Sequence, residues 1–177
     1  MNREGPSNKK IEGFYMYRFI DYYHNEVVLS FDDHPFSTDP KHVWVVCRYQ
    51  NKWLLTKHSD RGYEFPGGKV EENEMALEAA IREVKEETGG IVDTIDYIGQ
   101  YKVRGKEKMI VKNIYYATIK ELITQEDYLE TYGPILLEEI PHNVQKNRQF
   151  SFIMKDGVLL KSLERIKQRF LTNVSGT

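Results

Sequence analysis

The sequence has one cysteine, no long apolar run and almost no net charge, and each of these features excludes a class of protein. Because Cys47 is the single cysteine among 177 residues, no disulfide can form within the chain. The apolar run around it, HVWVVCRY, favours a buried, unreactive thiol over a nucleophile or a metal ligand. The 25 basic and 27 acidic residues give a formal net charge of −2, too little for a global field that attracts nucleic acid or an anionic membrane. Recognition of phosphate must therefore be local.

The ends of the chain carry no targeting or membrane signal. The opening MNREGPSNKK is polar, and no run approaches the roughly 18 apolar residues of a membrane span. We therefore expect a cytoplasmic protein with no membrane partner and no obligate protein partner. The length and the 40% hydrophobic content suit one domain over residues 11–171. Residues 1–10 and 172–177 lack periodicity and are expected to have no fixed structure.

Strand-like runs rich in β-branched and aromatic residues stand on both sides of one acidic segment. Before it come GFYMYRFI, EVVLSF, HVWVVCRY and KWLLTK. After it, YIGQYKV and MIVKNIYYATI flank the basic loop RGKEK, a pattern typical of a hairpin, and PILLEEI follows. Near the end, Leu159, Leu163, Ile166 and Phe170 recur at helical spacing and predict an amphipathic helix capped by Asp156. This order predicts an α+β domain with α/β/α layers.

The acidic segment, GGKVEENEMALEAAIREVKEETGG, places Glu83, Glu86 and Glu87 within five residues of one another in a predicted helix. The apolar stripe expected to pack on the sheet consists of Leu77, Ala80, Ile81 and Val84. The glutamates border this stripe, and like charges at such spacings repel by a few tenths of a kcal/mol per pair. A solvated acidic face is one interpretation. The other is a cation site, and crowded carboxylate oxygens suit Mg²⁺ or Mn²⁺.

Glycines flank this helix on both sides and complete a recognisable pattern. EFPGGKVE permits close backbone approach before the helix, and Gly89 and Gly90 end it. The spacing from Gly68 through Glu74 and the REVxEE run to Gly89 resembles the Nudix box, the signature of hydrolases that act on nucleoside diphosphates linked to another moiety. Gly90 departs from the family's usual aliphatic residue, so we expect altered packing after the helix. The resemblance implies an α/β/α sandwich with a mixed sheet and a catalytic loop-helix-loop.

The resemblance also implies roles for individual residues. The implied ligands of Mg²⁺ or Mn²⁺ are Glu83, Glu86, Glu87 and the carbonyl of Gly67. Arg82 is implied to orient these glutamates through a salt bridge, and Glu74 to stabilise the loop-helix-loop. In MutT-type members of the family, a further glutamate from a loop beyond the box approaches the metals. Here Glu130 is the candidate to accept the proton of the attacking water. Its rivals are Glu121, Glu126 and Glu138.

Basic and aromatic residues outside the box supply candidates for substrate binding. The phosphate-binding candidates are Lys57, Arg61, Lys69, Arg104, Lys106, Lys108 and Lys155. The candidates for stacking on a base are Tyr63, Tyr97, Phe150 and Phe152. Ordinary solvation and core packing are the alternatives for each residue taken singly.

Stretches along the whole chain, including SFDDHPF, GKEKMIVKNIY and FSFIMKD, are similar to MutT-type Nudix proteins. That group is associated with hydrolysis of nucleoside triphosphates, including oxidised guanine nucleotides, and with removal of pyrophosphate from 5′-triphosphorylated RNA. We expect a metal-dependent pyrophosphohydrolase acting on RNA 5′ ends, with triphosphates also accepted. A sanitising hydrolase for oxidised guanine nucleotides and a non-catalytic nucleotide- or RNA-binding regulator are the alternatives. The sequence leaves base preference and oligomeric state open.

Overall fold

The structure is a computed structural model that describes residues 8–11 and 14–172. Within these residues, ten strands form one sheet with a helix on each face. The strands are β1 Asn8–Ile11, β2 Phe14–Ile20, β3 Glu26–Ser30, β4 His42–Tyr49, β5 Lys52–His58, β6 Gly62–Glu64, β7 Gly67–Lys69, β8 Gly90–Arg104, β9 Met109–Leu122 and β10 Thr131–Leu137. The helices are α1, Ala76–Thr88, and α2, Gly157–Ile166. The predicted α+β class and layered arrangement are confirmed.

The main sheet runs in the order β1-β2-β3-β8-β9-β4-β5-β10, with β6 paired to β5 and β7 paired to β4. The pair β4–β9 is parallel, and the other pairs are antiparallel, so the sheet is mixed. The predicted hairpin around RGKEK is the turn between β8 and β9. The pairing of β7 with β4 matters most for function, because it joins the loop before α1 to the centre of the sheet.

The two faces of the sheet bury different cores. On the α2 face, Trp44, Phe65 and Tyr101 pack with Leu159 and Leu163 of the helix in the larger cluster. On the α1 face, the smaller cluster consists of Val43, Val45, Cys47, Leu54, Ala79, Ala80, Val84, Tyr115, Ala117 and Ile119. Alternate residues of β4 supply the two clusters, as the strand period of two requires. Cys47 is fully buried, as predicted.

Helix α1 buries a different face from the predicted stripe. Ala79, Ala80 and Val84 are fully buried, whereas Leu77 and Ile81 are each 40% exposed. The predicted stripe is therefore wrong for its two bulkiest members. Small residues allow the helix to lie close to the sheet, and the large side chains turn outward. This rotation carries Glu83, at i+4 from Ala79 and i+3 from Ala80, and Glu87, at i+7 from Ala80, towards the sheet.

An aspartate caps the second helix, and part of the N-terminal segment belongs to the sheet. The Asp156 side chain accepts a hydrogen bond from the amide of Val158 at 2.8 Å and caps α2, as predicted. Residues 8–10, which were expected to have no fixed structure, belong to β1 and pair with β2. The rest of that segment and residues 173–177 lie outside the described residues. No helix in the described part of the chain is long and apolar enough to cross a membrane.

Candidate active site

Strand β7 contains two glycines, Gly67 and Gly68, which lie close to strand β4 and to Glu83 of α1. A Cβ atom built on Gly68 would collide with Oε1 of Glu83, and one on Gly67 would come within 2.5 Å of the carbonyl oxygen of Val43. Any residue other than glycine would therefore displace either the carboxylate or strand β4. The two glycines are required so that the loop can lie against the first glutamate of the cluster.

Arg82 ties the loop to the helix through its guanidinium group. It donates to both carboxylate oxygens of Glu74, at 2.7 and 2.9 Å, and to the carbonyl of Lys69 at 3.0 Å. It also donates to Glu83 at 3.0 Å and Glu86 at 3.1 Å. The hydrogen bonds from Arg82 hold the pKa of Glu74 down at about 2. Glu74 in turn accepts from the amide of Glu71, so this carboxylate fixes the loop as predicted.

Glu87 lies deepest of the three helix glutamates and is the least compensated. Its Oε2 is buried and finds no hydrogen-bond partner among the described residues. Burial raises the pKa of Glu87, the carboxylates of Glu83 and Glu64 raise it further, and the backbone amide of Gly67 acts in the opposite direction. Burial likewise raises the pKa of Glu83, although Arg82 opposes the shift. Glu87 is therefore a buried carboxyl group whose surroundings disfavour its charged form, and Glu83 shares this tendency in spite of Arg82.

This donor set fits a hard divalent cation. Within residues 8–11 and 14–172, no group of three or more His, Cys, Asp or Glu side chains is already arranged to hold a metal ion. Two of the three candidate carboxylates, Glu83 and Glu86, are instead hydrogen-bonded to Arg82. The partnerless buried oxygen of Glu87 and the raised pKa values are what a cation would relieve. All the candidate side-chain ligands are carboxylate oxygens, which suits Mg²⁺ better than a softer metal.

Neighbouring segments hold the carboxyl end of α1. The carbonyl of Glu87 accepts hydrogen bonds from the hydroxyls of Thr56 at 3.0 Å and Thr131 at 3.1 Å. The carbonyl of Glu86 accepts from the side-chain amide of Gln125 at 3.2 Å. These bonds satisfy carbonyls that a helix end leaves free. They also fix the loop of residues 123–130 to the helix that carries the glutamates.

Glu130 is exposed at the end of this loop. Its side chain is 87% exposed, and Oε2 lies 3.9 Å from Nε2 of His58. Burial lowers the pKa of Arg61, but Glu64 raises it above its ordinary value, and the charges of Glu87 and Glu130 add smaller increases. Glu130 is thus within electrostatic reach of the site. The rivals Glu121, Glu126 and Glu138 are exposed on β9, in the loop and just beyond β10.

A row of polar and basic side chains crosses adjacent strands on the α2 face. His42 on β4 pairs with Lys69 on β7 and with Lys112 on β9, and Lys112 pairs with Tyr101 on β8. Burial lowers the pKa of His42 to about 4, with help from the positive charges of Lys112, Lys69 and Lys108. His42 is therefore neutral near pH 7, and the lysines around it supply the positive charge that a phosphate chain requires.

Arg61 is held beside the glutamates by a buried acid. Its guanidinium group donates to both oxygens of Glu64, at 3.1 and 2.8 Å, and Glu64 is 4% exposed. Glu64 also contributes to the raised pKa of Glu87. The predicted phosphate-binding residues Arg61 and Lys69 are thus near the glutamates, whereas Lys108 lies in the turn between β8 and β9 and affects the pKa of His42.

The remaining basic candidates lie on exposed segments. Arg104 and Lys106 lie at the tip of the β8–β9 hairpin, and no contact links them to the glutamates. Lys57 is exposed, with its ammonium group 5.6 Å from the centre of the Tyr132 ring.

Two of the aromatic candidates for base stacking make contacts within the protein instead. Phe150 is 3% exposed and packs edge-on against Tyr63 in the core, so its burial argues against the predicted stacking on a base. The hydroxyl of Tyr97 donates to the carbonyl of Asp32, and its ring stacks on His34. Phe150 is therefore a core residue, and Tyr97 holds the loop after β3.

Phe152 and Lys155 form part of an exposed aromatic cluster. Tyr23 packs against Phe152 at a centroid distance of 4.9 Å, and the Lys155 ammonium group lies 5.3 Å from the centre of the Tyr22 ring. Tyr22 and Tyr23 are 56% and 59% exposed. We call these four residues the aromatic cluster.

Sequence reasoning missed several residues that shape the site. They are His42, Thr56, His58, Glu64, Lys112, Gln125 and Thr131. Lys112 left a signal, because a lysine inside the apolar run MIVKNIYY requires an explanation. The threonine and glutamine bonds to α1 left none, because they depend on contacts between distant segments.

Comparison with known families agrees with this geometry. The model of the NUDIX domain matches residues 12–149. The chain belongs to the Nudix family. It is 65% identical over 153 residues to the Bacillus subtilis (strain 168) protein named "Putative 8-oxo-dGTP diphosphatase YtkD", across 86% of this chain and 97% of that one. This Nudix chain is a hydrolase of phosphorus-containing anhydrides, a pyrophosphohydrolase.

Solved structures of related proteins show the same fold. The chain is similar to the crystal structure of a mutant of the Bacillus subtilis pyrophosphohydrolase BsRppH, with a TM-score of 0.85 and 64% identity over 86% of this chain and 97% of that chain. A NUDIX hydrolase from Nitrosomonas europaea superposes with a TM-score of 0.58 at 17% identity, over 73% of this chain and 89% of that chain. This second likeness concerns the fold alone.

Proposed function

We propose that this Nudix chain is a Mg²⁺-dependent pyrophosphohydrolase that removes phosphate or pyrophosphate from the triphosphate at the 5′ end of RNA and from nucleoside triphosphates. The observation that carries the proposal is the acidic cluster on α1, in which Arg82 contacts Glu83 and Glu86 but a buried oxygen of Glu87 has no partner within the described residues. The name of the Bacillus subtilis relative YtkD supports a nucleoside triphosphate substrate, and BsRppH is named a pyrophosphohydrolase, which supports the reaction.

The chain supplies the cation site and its supports. Glu83, Glu86, Glu87 and the carbonyl of Gly67 are the proposed ligands of Mg²⁺, with Mn²⁺ as a substitute. When bound, the cation neutralises phosphate oxygens and makes water a better nucleophile at neutral pH. Arg82 holds Glu83 and Glu86 in place by hydrogen bonds at about 3 Å. The α1 termini are fixed by the glycine turn and by the threonine bonds.

Other side chains act on the substrate and the proton. Lys69, Lys112 and Arg61 are proposed to bind the phosphate chain on the α2 face, where the pairing of β7, β4 and β9 places the two lysines in one row. Glu130 is proposed to accept the proton of the attacking water, because it is exposed and within electrostatic reach of the site.

An RNA 5′ end is favoured over a free nucleotide by the aromatic cluster. Exposed rings beside a lysine can stack on successive bases without strong selection among them. Phe152 and Lys155 come just before the start of α2 at Gly157, and the basic row lies on the α2 face of the sheet, which supports a substrate path from the row to the cluster. Hydrolysis of oxidised guanine triphosphates remains the second candidate because of the YtkD relative. The cytoplasmic setting stays a prediction.

One comparison of substrates tests the proposal. The release of phosphate and pyrophosphate is measured from GTP, 8-oxo-dGTP and a 5′-triphosphorylated oligonucleotide, with Mg²⁺ and with EDTA. We expect Mg²⁺-dependent release from all three and the largest kcat/KM for the oligonucleotide. Release that persists in EDTA would refute the metal site. Tight binding without release from any substrate would identify a regulator.

The aromatic cluster can be tested in the same assay. Tyr22→Ala should lower kcat/KM for the oligonucleotide and leave that for GTP within about 2-fold, because GTP has no second base to stack. Tyr15→Ala is the matched control, since Tyr15 is 59% exposed and lies outside the cluster. An equal loss on both substrates would remove the argument for RNA.

A further inference from the structure

His58 is a buried histidine beside the loop that carries Glu130. Its side chain is 7% exposed, and its Nε2 lies 3.9 Å from Oε2 of Glu130. The main chains are also joined, because the amide of Ser59 donates to the carbonyl of Glu130 at 3.0 Å and His58 pairs with Thr131 between β5 and β10. The imidazole is therefore fixed relative to the backbone of Glu130, while the exposed carboxylate can rotate.

Two backbone amides determine which nitrogen of His58 carries the proton. Nδ1 accepts from the amide of Asp60 at 3.1 Å and from that of Arg61 at 3.3 Å. A ring nitrogen that accepts hydrogen bonds has no proton, so the neutral imidazole is protonated on Nε2. The Nε2–H group is the one that faces Glu130. The fold thus aims a hydrogen-bond donor at the carboxylate.

The same short segment connects Glu130 to the glutamate helix. Thr131, the next residue, donates its hydroxyl to the carbonyl of Glu87 at 3.1 Å. Gly133 follows with φ of 90° at a bulge in β10, and its amide donates to the Thr131 hydroxyl. The backbone of Glu130 is therefore held between His58 and the end of α1, and the orientation of its side chain is the one freedom left.

We propose that His58 is a positioning residue for Glu130. Its Nε2–H donates to one carboxylate oxygen of Glu130 when substrate is bound, so that the other oxygen accepts the proton of the attacking water. Rotation of the exposed carboxylate shortens the 3.9 Å separation to a hydrogen bond, as occurs when catalytic contacts tighten around a substrate. The proposal rests on the proposed function, in which Glu130 is the general base.

Two substitutions separate the two nitrogens of His58. The amide oxygen of asparagine reproduces the acceptor at Nδ1, whereas the amide nitrogen of glutamine reproduces the donor at Nε2. We expect His58→Asn to lower kcat about 10-fold, a part of the roughly 10²- to 10⁴-fold contribution of a general base, with KM changed less than about 2-fold. His58→Gln should keep at least about half of kcat. Equal loss in the two variants would overturn the proposal.

A double-mutant cycle with Glu130→Gln tests whether His58 acts through Glu130. Glu130→Gln should lower kcat at least about 100-fold, and adding His58→Asn should lower it no further. If His58→Asn costs the same factor in both backgrounds, His58 acts elsewhere and the proposal fails. If Glu130→Gln keeps normal turnover, Glu130 is not the base and the proposal fails with that assignment. A different result would refute the proposed function itself: no Mg²⁺-dependent release of phosphate or pyrophosphate by the unmodified protein.

A measurement on unmodified His58 tests the proposal even if the His58 variants fail to fold. Nitrogen-15 NMR of the imidazole should show the proton on Nε2. The Nε2–H signal should shift when a non-hydrolysable GTP analogue and Mg²⁺ bind, and this shift should be absent in Glu130→Ala, which removes the acceptor. A proton found on Nδ1 would overturn the proposal without any variant of His58.

Discussion

Glu86 and Glu87 differ in burial but should be equally necessary. The side chain of Glu86 is 34% exposed and hydrogen-bonded to Arg82, whereas Glu87 has a buried oxygen without a partner within residues 8–11 and 14–172. We expect Glu86→Gln and Glu87→Gln each to lower turnover at least about 100-fold, equivalent to roughly 3 kcal/mol of transition-state stabilisation. The assay is phosphate release under saturating Mg²⁺. Glu72→Gln, an exposed change just before the helix, is the matched control and should be neutral.

The raised pKa of Glu87 makes metal-free stability depend on pH. Its pKa in the folded protein lies above the ordinary 4.5, so the folded state keeps this proton to higher pH than the unfolded state. The contribution of protonated Glu87 to the free energy of unfolding is fully present below about pH 4.5. It is lost as pH rises towards the folded pKa of Glu87. In urea unfolding with EDTA, the unmodified protein should lose stability relative to Glu87→Gln from about pH 5 to about pH 8. Saturating Mg²⁺ should reverse the order, because it stabilises the unmodified protein more.

At the scale of elements, Arg82 is the joint between the loop and α1. Arg82→Lys keeps the charge but loses the planar fork that binds both oxygens of Glu74. We expect a loss of about 1–3 kcal/mol in the free energy of unfolding at neutral pH. Because the folded pKa of Glu74 is depressed to about 2, this difference should shrink as pH falls from about 4.5 towards 2. Arg18→Lys, in an exposed pair with Glu26, should change stability by less than about 0.5 kcal/mol.

The bulge in β10 provides a second test at this scale. Gly133 has φ of 90°, and a Cβ atom there would lie 3.0 Å from the Tyr128 ring. Gly133→Ala should destabilise the protein by at least about 1–2 kcal/mol. It should also lower kcat, because the bulge sets the Thr131 hydroxyl against the carbonyl of Glu87. Equilibrium unfolding and steady-state kinetics measure the two effects. A variant with normal stability and kcat would show that the bulge is not needed.

The sequence predicted most strands and helices well, but it predicted less well which side of a helix is buried. Alternating and helical periodicity was enough to place seven of the ten strands and both helices, because burial is periodic along each of these elements. The short strands β1, β6 and β7 were not predicted. The stripe on α1 failed at Leu77 and Ile81 because the close approach of the sheet selects alanines. The glutamates followed from the motif. His58, Thr56 and Thr131 could not, because their roles arise from the pairing of β5 with β10, and no local pattern encodes that pairing.

At the scale of the molecule, the acidic and the basic parts of the site lie on opposite faces of the sheet. The α1 face holds the acidic cluster, and the α2 face holds the basic row of Lys69, His42 and Lys112. Strand β7 contacts both, because Lys69 belongs to the row and a Cβ atom on Gly68 would collide with Glu83. A substrate bound along the row would therefore meet the carboxylates at the edge of β7, where the phosphate chain ends.

Labelling of the buried thiol of Cys47 can report how often the protein unfolds. Cys47 lies at 0% exposure in the central strand β4, and burial raises the pKa of its thiol well above the ordinary value. As the single cysteine of the chain, it is the one group that a thiol reagent can label. Labelling should therefore proceed at the rate or equilibrium of unfolding, and saturating Mg²⁺ should slow it. Rapid labelling under native conditions would show that α1 separates from the sheet far more often than the packing around Cys47 implies.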